Sequence, residues 1–303
     1  MNNYIINPYK LWSIKGIGNL IETISPQTYE ILLNLHTSIK DIRYKTALTK
    51  NVLTYSLFEE IDIETINRCN GLCSFCPVNK NIDTRPYHLM NETLFKSIIE
   101  QLHNLDYNKI VCLFCNNEPL LDNRIYEFAE YTRSRLPFAK IIINTNGSVL
   151  TPEKFNRLIL NLDLLIVDNY NDKLELNPSI KTLVKTCLFK DKYIDKVQII
   201  LRKQNEILTS RSGQAKNRKT VKTLSSPCVY PYMQLSIRSN GEVSMCCNDA
   251  LGEETLGDTN KESLKDIWYG NKFKEIRQKM LINRNLNSIC KKCDSIVIPT
   301  NIR

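Results

Sequence analysis

The sequence predicts an α/β fold, an incomplete parallel (β/α) barrel followed by a small α+β unit, and three observations carry that prediction. Short β-branched runs alternate with helical patterns over residues 57–202, an order that demands right-handed crossovers and a parallel sheet. The first of those runs ends in three closely spaced thiols, Cys69, Cys73 and Cys76. Beyond Cys228, a hairpin signal and a Cys-x2-Cys pair close the chain on a second group of thiols.

Residues 1–56 read as a mostly helical lead-in. Tyr29, Leu32, Leu33, Leu35 and Ile39 recur at helical spacing after Ser25-Pro26, a pattern expected to serve packing. The barrel core is expected over 57–202. Its first strand alternates through Ile61, Ile63 and Thr65, and further strands are expected at 109–114, 139–144, 164–168 and 196–201. Helices are expected between them at 92–105, 124–135 and 152–160, the last opened by Thr151 as cap and Pro152 at the first helical position. In such folds chemistry sits at the carboxyl ends of the strands, so candidates are sought there. Residues 203–227 set Arg211, Lys216, Arg218, Lys219 and Lys222 among Ser, Thr and Gly, the composition of a flexible, solvated basic linker. Over 228–303 a hairpin around Asn240-Gly241 pairs 234–237 with 242–245 and delivers Cys246 and Cys247. A helical stretch at 263–280 then leads to Cys290-Lys-Lys-Cys293.

Between Cys69 and Cys76 lies no His, Asp or fourth Cys, so this segment cannot by itself close a tetrahedral zinc site. Three thiolates do suit an iron-sulfur cluster with one iron left open to a ligand. The run Cys69-x3-Cys73-x2-Cys76, with Phe75 before the last thiol, resembles the signature of the radical S-adenosylmethionine (SAM) enzymes. The resemblance implies a TIM-like partial barrel and a [4Fe-4S] cluster whose open iron chelates SAM. It implies a 5′-deoxyadenosyl radical that takes a hydrogen atom from substrate, and a flavodoxin- or ferredoxin-like protein as reductant.

The same resemblance assigns roles at the strand ends. Cys115-Asn-Asn117-Glu118-Pro119 is similar to a Gly-Gly-Glu-Pro segment that meets the methionyl amine of SAM; its glycines are absent here, and asparagine's tolerance of positive φ is expected to keep the turn. Asn144-Thr-Asn146-Gly147 is similar to a family segment near the cofactor, and a plain Asn-Gly turn competes with that reading. At the end of the fifth strand, Arg202 is a candidate for the cofactor carboxylate, with a solvated strand end as the competing role. Asp168 and Tyr170 are candidates for a polar substrate, with a helix cap as the competing role of Asp168. Arg211-Ser212-Gly213 resembles an Arg-Ala-Gly element close to substrate.

By spacing alone the C-terminal thiols suit a four-cysteine zinc site. Their setting, Cys-x2-Pro, Asn-Gly-Glu-Val-x2-Cys-Cys, Gly-Asp, Ile-Trp and Cys-x2-Cys, resembles an abbreviated SPASM or twitch domain. That resemblance implies one auxiliary [4Fe-4S] cluster, two clusters in all, on Cys228, Cys246, Cys290 and Cys293, with Cys247 as the alternative to Cys246.

Composition bounds the rest. The 303 residues hold eleven cysteines without a signal-peptide pattern at the start, so reduced, metal-binding, cytoplasmic thiols are expected rather than disulfides. No apolar run approaches a membrane span. The formal charge of +9 counts thiols as neutral; two clusters on seven thiolates leave roughly +6, and no nucleic-acid motif sharpens it, so nucleic acid is not an expected partner. His36, His88 and His103 have no ligand spacing, and Cys112 and Cys187 read as small core residues. The expected reaction is dehydrogenation or epimerisation of a small sugar- or aminocyclitol-like alcohol. Arg211 would assist deprotonation in the first, and Cys247 or Cys115 would donate a hydrogen atom in the second. Radical modification of a peptide is the enzymatic alternative, and a non-catalytic iron-sulfur or zinc protein the alternative of another class.

Overall fold

The computed structural model describes residues 4–9, 14–47, 56–188 and 193–296. The N-terminal part runs β1 (Ile5–Ile6), α1 (Ile14–Ile24) and α2 (Pro26–Ala47). The alternating part follows as β2 (Glu60–Ile63), α3 (Glu92–Asn104), β3 (Ile110–Cys112), α4 (Ile125–Arg135), β4 (Lys140–Thr145), α5 (Pro152–Ile159), β5 (Leu164–Tyr170), α6 (Pro178–Thr186) and β6 (Val197–Arg202). The chain closes through α7 (Tyr230–Met233), β7 (Gln234–Ile237), β8 (Glu242–Ser244), β9 (Thr255–Asp258), α8 (Leu264–Tyr269) and α9 (Asn271–Ile282). Among the described residues nine strands join in one sheet ordered β1-β6-β5-β4-β3-β2-β7-β8-β9. All neighbours from β1 to β7 are parallel, and only β7/β8 and β8/β9 are antiparallel.

This mixed α/β fold with its parallel sheet is the partial barrel expected, and side-chain alternation builds it. Ile61 and Ile63 of β2, Ile141 and Ile143 of β4, Leu165 and Val167 of β5 and Val197 and Ile199 of β6 are buried in the core. Phe95, Ile98, Ile99 and Leu102 of α3 and Phe155, Leu158 and Ile159 of α5 cover that face. The interleaved residues Glu60, Asp62, Asn144 and Asp168 line a cavity. Helix starts follow local chemistry: Asn91 Oδ1 accepts from the Thr93 N–H at 2.8 Å, and Thr151 Oγ1 from the Lys154 N–H at 3.3 Å. Helix α6, which opens on Pro178, carries no matching expectation.

Three expectations are corrected. The helical stretch at 263–280 breaks at Gly270, whose backbone is extended and where a Cβ would lie 2.7 Å from the Asp266 carbonyl oxygen. The apolar positions of the lead-in do sit on a helix, α2, yet Leu32, Leu35 and Ile39 are exposed rather than packed. The basic segment at 203–227 is only in part a solvated linker: Lys216, Lys219 and Lys222 are exposed, but Ser210, Ser212, Arg218, Leu224 and Ser226 are buried. Acids of α2 hold it, Glu30 accepting from the Lys219 N–H at 3.0 Å and Asp41 from those of Ser225 and Ser226 at 2.8 and 3.0 Å. Local composition reads as solvated, and partners some 190 residues away in sequence supply the hydrogen bonds that water would otherwise make.

Candidate active site

The parallel strands point their carboxyl ends into one cavity of about 390 Å³. The three thiols line it from the loop after β2. Asn79 Nδ2 donates to the carbonyls of Cys73 and Cys76 at 3.1 and 3.0 Å and shapes that loop. A Cβ on Gly71 would stand 3.2 Å from Cys69 Sγ and 3.9 Å from Cys73 Sγ, so glycine keeps the space between the thiols open. Burial, with the charges of Glu118 and Cys76 added for Cys69 and those of Cys76 and Cys69 for Cys73, pushes both thiols up to about 12. Two largely buried thiols with like charges beside them are costly to ionise, and a cationic iron centre removes that cost. The donor set therefore fits the cluster.

Glu118 is buried and fully engaged. Its carboxylate accepts from Thr145 Oγ1 at 2.6 Å, the Leu120 N–H at 3.1 Å and the Asn146 N–H at 2.7 Å, tying the turn after β3 to the end of β4. Burial still raises its carboxyl above the usual range. Asn116 and Asn117 hold this turn without positive φ, contrary to expectation. Asn117 Oδ1 instead accepts from the Cys115 N–H at 3.0 Å, and Glu64 accepts from the Asn116 N–H at 3.2 Å. The Nδ2 of Asn117, sealed from solvent, has no partner among the described residues and marks a place for an acceptor on a bound molecule.

Asn144 Nδ2 donates to Asp168 Oδ2 at 3.1 Å, and Asn146 Nδ2 to Asn70 Oδ1 at 2.8 Å. The Tyr170 ring lies 6.1 Å from that of Phe75 at 43°, and burial, then Asp168, raises its phenol well above its ordinary value. Arg202 reaches Glu206 at 3.3 Å, so part of its charge is already answered within the protein.

Arg211 crosses the cavity. Arg211, Ser212 and Gly213 have φ of 48°, 57° and 82°, a left-handed run that costs the two non-glycine residues roughly 1–2 kcal/mol each. It turns the guanidinium onto Asn116 Oδ1 and the Cys247 carbonyl, the latter at 3.0 Å, while its Nε has no partner among the described residues. Cys115 Sγ lies 3.8 Å from Asp62 Oδ2 and accepts from Asn116 Nδ2 at 3.2 Å.

The hairpin end separates the neighbouring thiols. Cys246 is acted on electrostatically by its neighbour Cys247 first and then by Cys228, Cys293 and Cys290, and Cys228, Cys246, Cys290 and Cys293 are buried. Cys247 points the other way: it lines the cavity beside Asp62, Arg211 and Tyr230, and burial first, then Asp62, pushes it up to about 12. The second thiol set thus stands directly behind the cavity wall.

Sequence reading missed the cavity's acids. Parallel pairing puts Glu60 opposite Gln234 and Asp62 opposite Ser236. Gln234 Nε2 donates to Glu60 at 2.6 Å and Ser236 Oγ to Asp62 at 2.8 Å. Burial, then the charge of Glu60, raises the Asp62 carboxyl well above its usual range. The signal was present as acids alternating with isoleucines in Glu60-Ile-Asp-Ile-Glu64, a polar face on a buried strand.

Residues 63–168 match the model of the radical SAM superfamily, and residues 228–294 that of SPASM, an iron-sulfur cluster-binding domain. The chain is a radical SAM enzyme with a SPASM domain: its core domain takes a 4Fe-4S cluster and SAM, and its C-terminal domain binds iron-sulfur. Among characterised proteins it is similar to the S-adenosyl-L-methionine-dependent 2-deoxy-scyllo-inosamine dehydrogenase of Niallia circulans, 28% identical over 250 residues that cover 80% of this chain and 96% of that one. Its fold matches the crystal structure of BtrN in complex with AdoMet and 2-DOIA, with TM-score 0.69 and 24% identity over 80% of this chain and 95% of that one. It also resembles anSMEcpe with bound AdoMet, with TM-score 0.51 and 15% identity over 77% and 82% of the two chains. Among the described residues no helix is long and apolar enough to cross a membrane.

Proposed function

We propose that this enzyme dehydrogenates a secondary alcohol on a small polar ring of the aminocyclitol type. One observation carries the reading: the same cavity is lined by Cys69, Cys73 and Cys76 and by Cys247, whose neighbour Cys246 is acted on by Cys228, Cys293 and Cys290 of the second thiol set. The named relative is a dehydrogenase of such a ring, which supports it. In this reading Cys69, Cys73 and Cys76 hold the first cluster, with Asn117, Glu118, Asn144, Asn146 and Arg202 around SAM. Cys228, Cys246, Cys290 and Cys293 hold an auxiliary [4Fe-4S] cluster within a unit at 228–303, carried beside a core at 57–202.

When bound, SAM and the two clusters supply a hydrogen-atom acceptor and an acceptor for one electron. Oxidation of the alcohol to a ketone releases one hydrogen atom, one proton and one electron, so the chain itself must handle the proton. Asp62 is the proposed proton acceptor: it lines the cavity, and its raised affinity for protons suits it to that task. Arg211 lines the same cavity as a fixed cation and stabilises the oxygen as the proton leaves. Asp168 and Tyr170 hold other ring hydroxyls, and Glu60 offers a carboxylate to a ring ammonium. An acidic flavodoxin or ferredoxin is the proposed reductant, which the chain's positive formal charge of +9 would attract.

One observation favours epimerisation as a second reading. Cys247 is held as a neutral thiol in the cavity, where its S–H is a hydrogen-atom donor. Anaerobic turnover of candidate aminocyclitols in deuterium oxide decides between them: dehydrogenation gives a ketone with one 5′-deoxyadenosine per product, whereas epimerisation gives an alcohol carrying deuterium at carbon. Cys73→Ala is expected to abolish 5′-deoxyadenosine formation. Turnover of a peptide but of no cyclitol would overturn the proposal.

A further inference from the structure

Arg284 begins a 3-10 turn at Arg284–Leu286, just upstream of Cys290, and is 1% exposed. Its Nε is sealed from solvent without a hydrogen-bond partner among the described residues. A buried guanidinium needs an anion nearby to offset its lost hydration. Of the groups that act on it most strongly, Cys228, Cys293 and Cys290 come first and Asp41 last. Asp41 is engaged elsewhere, its oxygens accepting from the N–H and O–H groups of Ser225 and Ser226. Its turn is joined to the one that carries Cys290: the Asn287 N–H donates to the Arg284 carbonyl and the Cys290 N–H to the Asn287 carbonyl, both at 3.1 Å. The partner that this cation lacks is thus a negative charge on the thiol set itself.

We propose that Arg284 is the buried counter-charge of the auxiliary centre and raises its reduction potential. The inference rests on the assignment of a cluster to Cys228, Cys246, Cys290 and Cys293. Four thiolates around an oxidised [4Fe-4S] core leave about two net negative charges, and one-electron reduction makes it about three. A fixed cation stabilises the more negative state more, so it favours electron uptake. The function follows: the centre that receives the substrate's electron is made a better oxidant, in a place sealed from water where the charge is little screened.

The test is a dye-mediated anaerobic redox titration of the reconstituted holoenzyme, followed by electron paramagnetic resonance. Arg284→Met is expected to weaken electron uptake at one of the two clusters about tenfold, which is about 59 mV for one electron. Arg284→Lys is expected to restore most of it. An unchanged midpoint in fully loaded Arg284→Met overturns the proposal. If Arg284→Met does not hold the auxiliary irons, their recovery in Arg284→Lys supports a charge requirement, and their loss there too overturns it in favour of a packing role. Cys290→Ala tests the underlying assignment separately: retention of every native iron removes the assignment itself, whatever Arg284 does.

Discussion

Arg218→Ala is predicted to destabilise the enzyme by about 3–5 kcal/mol, the cost of leaving one partner of a buried ion pair alone. Arg218 Nη2 meets Asp294 Oδ2 at 2.9 Å with side chains 1% and 3% exposed, so solvent does little to screen the pair. The same guanidinium donates to the Leu208 carbonyl at 2.8 Å and to Asn34 Oδ1 at 3.0 Å, joining α2 to the segment at 203–227 and to the C-terminal unit. Asp294 also accepts from the Ser210 N–H at 2.6 Å, so its loss of a partner is felt one residue from Arg211. Were the pair exposed, its removal would cost at most about 1 kcal/mol. Anaerobic urea unfolding of the loaded protein measures the difference. With a slope of about 3 kcal/mol per molar, the midpoint should fall by about 1 M or more. Arg218→Met with Asp294→Leu should cost less than Arg218→Ala alone, because no lone charge remains. A fall of less than about 0.3 M would refute the reasoning, since it would mean that water reaches the pair.

Two further variants probe the cavity. Asp62→Asn should slow product formation about a hundredfold or more while 5′-deoxyadenosine still forms, measured as a rising ratio of nucleoside to product. The same variant should be more stable than the native protein at neutral pH. Folding raises the Asp62 pKa, so the folded state loses stability as pH rises above the unfolded carboxyl value; the stability gain of the variant should therefore shrink towards zero as pH falls through about 4. Glu118→Gln keeps the shape but removes the charge that Thr145 and the Asn146 N–H donate to. It should weaken SAM binding in equilibrium dialysis about tenfold as the end of β4 loosens, and unchanged binding would show that Glu118 matters only for stability.

Much was legible before any tertiary structure. Strand and helix order follows from hydrophobic periodicity, and β2, β4, β5, α3 and α5 lie within a residue or two of their expected bounds because local pattern and burial agree. Cys69, Cys73 and Cys76 were legible because their spacing within one loop is itself a chemical statement. Tertiary structure alone decided what depends on partners distant in sequence. Cys246 and Cys247 are equivalent as text, yet the end of a hairpin sends one side chain towards Cys228, Cys290 and Cys293 and the other into the cavity. Glu60 and Asp62 became cavity acids only when β7 added its register of Gln234 and Ser236. The basic segment at 203–227 looked solvated until Glu30, Asp41 and Asp294 supplied its buried partners. Composition reports what a segment prefers alone; burial is decided by which distant groups can replace its water.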